Sequence, residues 1–154
     1  MTWRLLIAED EKYLREKVTQ NIDWASHGYE VFVASDGEEA LEIVGRENIH
    51  ILVTDIRMPG MDGIELTERA KAINEELKVI VISGHAEFEL AQASIRLGVE
   101  DYLLKPFRSE RLLEVVKKTK DKLEIRKAQL AQEQKREELA RQLLERRFSD
   151  VFGW

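Results

Sequence analysis

Cysteine is absent from the chain. Disulfides, zinc–thiolate centres and cysteine nucleophiles are therefore excluded, and the composition is compatible with a reducing compartment. Long apolar runs are absent as well: the longest are strand-sized, and Met1, Thr2, Trp3 and Arg4 lead directly into a strand. With no signal peptide and no membrane span to be read, the expected location is the cytoplasm. Proline occurs only at Pro59 and Pro106. Histidine is limited to His27, His50 and His85, whose spacing suggests no metal site. Clustered basic charge is missing too. The net charge is −6, and residues 120–154 carry nine Lys/Arg against seven Asp/Glu. Neither that tail nor the acidic remainder has the basic face that marks a nucleic-acid footprint.

What is present suits one well-cored domain with an appendage: 154 residues, 44% hydrophobic and 35% charged. Residues 3–8 are a short apolar run ending in Glu9, Asp10 and Glu11. Leu14, Val18 and Ile22 then recur at spacing four on one helical face, and residues 21–28 close that helix. Residues 29–34 are a second strand, followed by two possible capping boxes, Ser35 to Glu38 or Asp36 to Glu39, ahead of a helix carrying Ala40, Leu41 and Val44. Residues 49–55 form a third strand, rich in β-branched residues and closed by a turn holding Pro59, Gly60 and Gly63. Leu66, Ala70 and Ile73 mark a third helix, residues 77–82 a fourth strand, and Phe88, Ala91 and Ile95 a fourth helix that Gly98 stops. Residues 101–104 are a fifth strand, and Ser109 opens a helix with Leu112, Leu113, Val115 and Val116.

Strands alternating with helices in this way predict an α/β domain over residues 1–120, a doubly wound five-stranded parallel sheet covered on both faces through right-handed crossovers. Residues 121–154 change to Lys, Glu, Arg, Gln and Leu. Val116, Leu123 and Leu130 keep a spacing of seven, which breaks over residues 132–138 and resumes with Leu139 and Leu143. That predicts a C-terminal helical extension, weakly amphipathic, either as one strand of a short coiled coil or as a solvated helix.

In open α/β sheets, ligands bind in the crevice beyond the carboxyl ends of the strands. That edge gathers Glu9 and Asp10 from the first strand, Asp55 from the third, Ser83 from the fourth and Lys105 from the fifth. Crowded carboxylates repel unless a cation lies between them, and an oxygen-only donor set favours magnesium, which also takes phosphate oxygens. A carboxylate nucleophile, a divalent cation and fixed donors are the parts needed to move a phosphoryl group onto Asp55. Each residue alone has a plainer reading: a turn aspartate, acids at a helix start, a turn serine, a surface lysine. Their convergence on one edge favours the chemical reading.

The acidic pair Glu9 and Asp10, the stretch from Thr54 to Gly63, the Ser83-Gly84 pair and the run from Asp101 to Pro106 together resemble the receiver domain of bacterial two-component response regulators. The resemblance covers about residues 1–120. It implies a flavodoxin-like receiver fold with strand order 2-1-3-4-5, and a phosphoacceptor role for Asp55 served by a sensor histidine kinase. It also implies magnesium held by Asp10, Asp55 and the backbone carbonyl of Arg57, with Glu9 acting through water. Ser83 would bond the phosphoryl group, Lys105 would pair with it, and Tyr102 would be the aromatic that turns inward on activation. A cis Lys105–Pro106 bond is implied as well. Residues 21–24 and 83–88 are similar to the YesN-like subgroup, whose outputs are usually AraC-type DNA-binding domains. No such domain fits in 154 residues, so the chain either ends within its linker, touching DNA only through an output domain outside it, or is a receiver whose output is the helical tail, and the first is the expectation.

Arg57 and His85 each lie two residues after a site residue, Asp55 and Ser83, at the rim of the expected phosphate pocket. Their bulk is expected to govern how water reaches an acyl phosphate. Phosphate on Asp55 would draw Ser83, vacate space for Tyr102, repack the face formed by the fourth helix, fifth strand and fifth helix, and promote a homodimer. Two rivals remain. One is a receiver-like interaction module that acts through its tail without phosphorylation. The other is an aspartate-dependent phosphatase, disfavoured because such enzymes usually carry a second acid where this chain has Arg57. The expectation is a switch and not an enzyme. The sequence assigns no role to residues 148–154.

Overall fold

The structure, a computed structural model, describes residues 1–84 and 88–153. His85 and Trp154 lie outside the described residues, as do the side chains of Phe88 and Ala91, expected to line the fourth helix. In chain order the elements are β1 (Trp3–Ala8), α1 (Lys12–Gln20), β2 (Tyr29–Ala34), α2 (Gly37–Arg46), β3 (Ile51–Asp55), α3 (Gly63–Ile73), β4 (Lys78–Ser83), α4 (Phe88–Arg96), β5 (Asp101–Leu104) and α5 (Ser109–Phe152). A single turn of 3-10 helix, Ala25–His27, precedes β2.

The strands form one parallel sheet in the order β2-β1-β3-β4-β5, as the receiver resemblance implies. β3 is buried along its whole length, whereas the edge strands β2 and β5 are half-exposed. This difference explains their composition, because a parallel strand covered on both faces needs an unbroken apolar run. On one face Leu6, Ala8, Leu52, Val79 and Val81 join Ala40, Val44, Leu66 and Ala70 in a buried cluster. The alternate residues Leu5, Ile7, Ile51, Val53 and Ile80, turned to the other face by the two-residue period, are also buried.

Helix starts follow local chemistry. Asp36 caps α2 by accepting the Glu39 N–H (2.7 Å), and Ser35 Oγ donates to the Glu39 carboxylate (3.0 Å). Asp62 caps α3 by accepting from the Ile64 and Glu65 amides (3.0 and 2.8 Å). Gly98, at φ 76°, ends the α4 segment in the left-handed conformation that favours glycine. Two expected inward residues face out: Ile73 is 53% exposed and Ile95 is 65% exposed. The buried stripe of α3 runs through Leu66, Thr67 and Ala70 and is continued by Asn74, whose side-chain amide donates to the Ile49 carbonyl (3.1 Å). Among the described side chains of α4, Ser94 is buried. In α3 the helical stripe thus drifts by one position from the apolar spacing.

The chain divides into two compact units, Met1–Thr119 and Lys120–Trp154. In the first, Leu112, Val115, Val116 and Thr119 of α5 are buried. The second is helical, with Leu139, Leu143, Leu144, Val151 and the stacked pair Phe148 and Phe152 exposed. Among the described residues no helix is long and apolar enough to cross a membrane.

Candidate functional site

The parallel register carries each expected residue to the same edge. Ala8 lies beside Thr54, Asp55 beside Ile82, and Ser83 beside Leu104, so the residues that follow these pairs emerge together. The Glu9 amide donates to the Ala34 carbonyl (3.0 Å), extending sheet pairing one residue past β1 and holding Glu9 inside the fold. Glu9 and Asp55 are both 4% exposed and Asp10 is exposed; one carboxylate oxygen from each lies within 4.8 Å of the others. Lys105 Nζ reaches this group from the far side, 2.5 Å from Asp55 Oδ2 and 3.5 Å from Glu9 Oε1. Its own backbone is fixed by an N–H bond to the Ser83 carbonyl (2.8 Å), and the Lys105–Pro106 bond is cis.

Electrostatics set the character of the cluster. Burial, reinforced by a hydrogen bond that the protonated Glu9 carboxyl donates to Asp55 and by the charge of Asp55, raises the Glu9 carboxyl from 4.5 to about 9. Burial works against the Lys105 ammonium, yet its bonds to Asp55 and Glu9 prevail and its pKa is raised. Like charges some 4 Å apart near a protein surface repel by about 4 kcal/mol, so three acids share one lysine only while Glu9 holds its proton, and ionising all three calls for a further cation. The donor set is all oxygen, partly buried and open on the Asp10 side, which fits a small hard dication such as magnesium.

The loop after β3 is shaped by close backbone approach. The Arg57 amide donates to Asp55 Oδ1 (3.2 Å), and the Gly63 amide to the Ile56 carbonyl (2.7 Å). A side chain on Gly63 would overlap the Asp55 carbonyl oxygen, and one on Gly37 would meet the Met61 backbone. Asp10, Arg57, Met58 and Pro59 line an open cleft of about 460 Å³ beside the acids. Ser83 is fully buried, and its hydroxyl donates to the phenol oxygen of half-buried Tyr102 (2.7 Å). Expected to approach only when Ser83 moves away, Tyr102 is here in direct contact with it.

Glu9, Asp10, Asp55 and Lys105 thus form one cluster, with the Arg57 backbone attached to it and Ser83 and Tyr102 paired alongside. His85 lies outside the described residues. Sequence reasoning missed Arg15. Its Nη1 donates to the Glu9 carbonyl (2.8 Å) and the Asp10 carbonyl (3.3 Å), reaching back from α1 to the loop that carries both acids. The available signal was a long cationic side chain five residues beyond Asp10, interpretable only once the helix phase is known.

The model of one family, the response regulator receiver domain, matches residues 5–117. The chain is 37% identical over 112 residues to the uncharacterized transcriptional regulatory protein YesN of Bacillus subtilis, covering 72% of this chain but 30% of YesN. It therefore spans under a third of that relative. It is 35% identical over 118 residues to sporulation initiation phosphotransferase F of Bacillus subtilis, covering 77% of this chain and 94% of that one. Among solved structures, the REC domain of AraT, a response regulator from Geobacillus stearothermophilus, superposes with a TM-score of 0.77 at 47% identity, covering 82% of this chain and 99% of that one.

Proposed function

The chain belongs to the response regulator receiver domain family, and from that premise we propose that it is a cytoplasmic phosphoacceptor switch in which Asp55 receives a phosphoryl group from a sensor histidine kinase. The observation that carries this reading is the placement of Asp55: a buried carboxylate at the end of β3, between the acids Glu9 and Asp10 and the ammonium of Lys105. An Asp55 carboxylate oxygen attacks the phosphorus of a phosphohistidine. The P–N bond breaks, the imidazole leaves with the electron pair and takes a proton, and an acyl phosphate remains on Asp55.

Magnesium would be held by Asp10, Asp55 and the Arg57 carbonyl, with Glu9 acting through water, and when bound it neutralises charge on the transferring oxygens. Lys105 already contacts Asp55 Oδ2 and needs little movement to pair with the new phosphoryl oxygens. Ser83 has one hydroxyl proton to give, so donation to the phosphoryl group withdraws it from Tyr102. Tyr102 sits on β5, and loss of its partner biases the α4, β5 and α5 face toward a second arrangement. That face is read by a transcriptional output domain, the class suggested by similarity to YesN, and by a second copy of the chain.

Acetyl phosphate with magnesium is the direct test. Wild-type protein should gain one acid-stable, hydroxylamine-labile phosphate detected by mass, and Asp55→Asn should gain none. Absence of labelling in the wild type would instead favour an interaction module independent of phosphorylation. The chemistry is confined to the chain's own Asp55, so a generic phosphomonoester should not be turned over; sustained turnover would point to a phosphatase. Arg57, exposed at the cleft, and His85 are proposed to set the lifetime of the acyl phosphate. Unchanged dephosphorylation rates in Arg57→Ala and His85→Ala would remove that role.

A further inference from the structure

We propose that Arg15 is a positioning residue for the cation site, holding the Glu9 and Asp10 peptide carbonyls so that their carboxylates stay convergent with Asp55. This rests on the reading of the acidic triad as a magnesium site. Residues 9–11 link β1 to α1, and the Glu9 side chain is held by Lys105 and Asp55. The Glu9 amide is tied to Ala34, whereas the α1 N-cap, Glu11, makes no side-chain capping bond. The carbonyls of Glu9 and Asp10 lie outside both the strand and the helix, and both accept from the same Arg15 nitrogen, at 2.8 and 3.3 Å.

A donor shared by consecutive carbonyls restrains the rotation of both peptide planes, and a planar guanidinium does this with less freedom than an ammonium. An aspartate carboxylate is one methylene from its backbone, so fixing the peptide plane on either side of Asp10 directs its oxygens. Arg15 is itself set by the helix: its amide donates to the Glu11 carbonyl (2.9 Å), and its carbonyl accepts from Thr19 Oγ1 (2.9 Å). The arrangement resembles the outer layer of a metal centre, where groups that never touch the ion orient those that do.

The sign of the effect separates positioning from charge. A cation beside a magnesium site repels the ion, so by Coulomb's law alone removing Arg15 tightens binding. Positioning requires the opposite. Titration calorimetry of magnesium into the full chain should show Arg15→Ala weakened roughly tenfold or more, the usual scale for lost outer-layer partners. Arg15→Lys should fall between, and Lys12→Ala, which removes an exposed cation from the same helix, should leave binding unchanged or slightly tighter. Equal or tighter binding by Arg15→Ala would overturn the proposal. If that variant melts early without metal, Arg15→Lys carries the test: weakened binding at an unchanged melting temperature supports positioning, and unchanged binding overturns it. A wild type that binds no magnesium would overturn the metal reading and this inference together, whereas a wild type that binds as tightly as Arg15→Ala removes the inference alone.

Discussion

Lys105 bridges Asp55 and Glu9, and the balance of charge among those three side chains governs what single substitutions do. Because burial and Asp55 raise the Glu9 pKa from 4.5 to about 9, the folded chain binds its proton more tightly than the unfolded chain does. The associated stability is fully present below pH 4.5 and is lost as pH rises toward 9. In magnesium-free buffer the melting temperature should therefore fall across that range. Glu9→Gln, which cannot ionise, should flatten the slope and stabilise the protein at pH 8 by at least about 1 kcal/mol, the worth of roughly one pKa unit. An unchanged slope in thermal melts would dismiss Glu9 as its source. Tyr102→Phe removes the acceptor of the Ser83 hydroxyl, at a cost of about 1 kcal/mol. It also frees that hydroxyl, so a larger fraction should be phosphorylated at a fixed acetyl phosphate concentration. Equal phosphorylation in a mobility assay would detach Tyr102 from the switch.

The elements bring these side chains together through tight turns as much as through strands. Gly63 begins α3 with its Cα against the Asp55 backbone, so Gly63→Ala forces overlap with the carbonyl oxygen of the proposed phosphoacceptor. The expected loss is about 1–3 kcal/mol of stability, as for overpacking elsewhere, together with slower phosphorylation by acetyl phosphate. Asp36→Ala gives the contrast. It removes the α2 cap at a cost of about 1 kcal/mol and should leave phosphorylation unchanged, because the Asp36 side chain bonds the amide of its own helix start. If both variants lost activity in proportion to stability, Gly63 would have no specific part in placing Asp55. Element identity was readable because period and punctuation are local. Of the two capping boxes, Asp36 to Glu39 is the one that forms, Asp36 taking the Glu39 amide, while Ser35 binds the Glu39 carboxylate where the sequence pointed to Glu38. The inner face was less readable. Ile73 and Ile95 satisfied the apolar spacing yet are exposed, while Asn74 and Ser94 occupy the neighbouring sheltered positions. Spacing cannot register a polar residue whose bonds are satisfied inside.

At the scale of the molecule, a cored unit, Met1–Thr119, is followed by a helical unit, Lys120–Trp154, that exposes Leu139, Leu143, Leu144, Phe148, Val151 and Phe152. Exposed apolar side chains on one helix favour self-association when a second copy is available. Beryllofluoride with magnesium should raise the sedimenting mass toward that of a dimer, and Asp55→Asn should not respond. The same mass with and without beryllofluoride would rule out a dimerising switch.

Strand count, helix count and the residues at strand ends follow from the sequence alone, since each depends on a period or a turn within about ten neighbours. So does the oxygen-only chemistry of the site, because Glu9, Asp10 and Asp55 are the acids those strand ends must present. Tertiary structure decided the rest. Lys105 bonds Asp55 across fifty residues, Ser83 bonds Tyr102 across nineteen, and Arg15 reaches back over the acidic loop by virtue of one helix phase. These contacts depend on sheet register and on the angular position of a side chain to within a fraction of a turn. Local sequence leaves both open, and packing the sheet against its helices closes them.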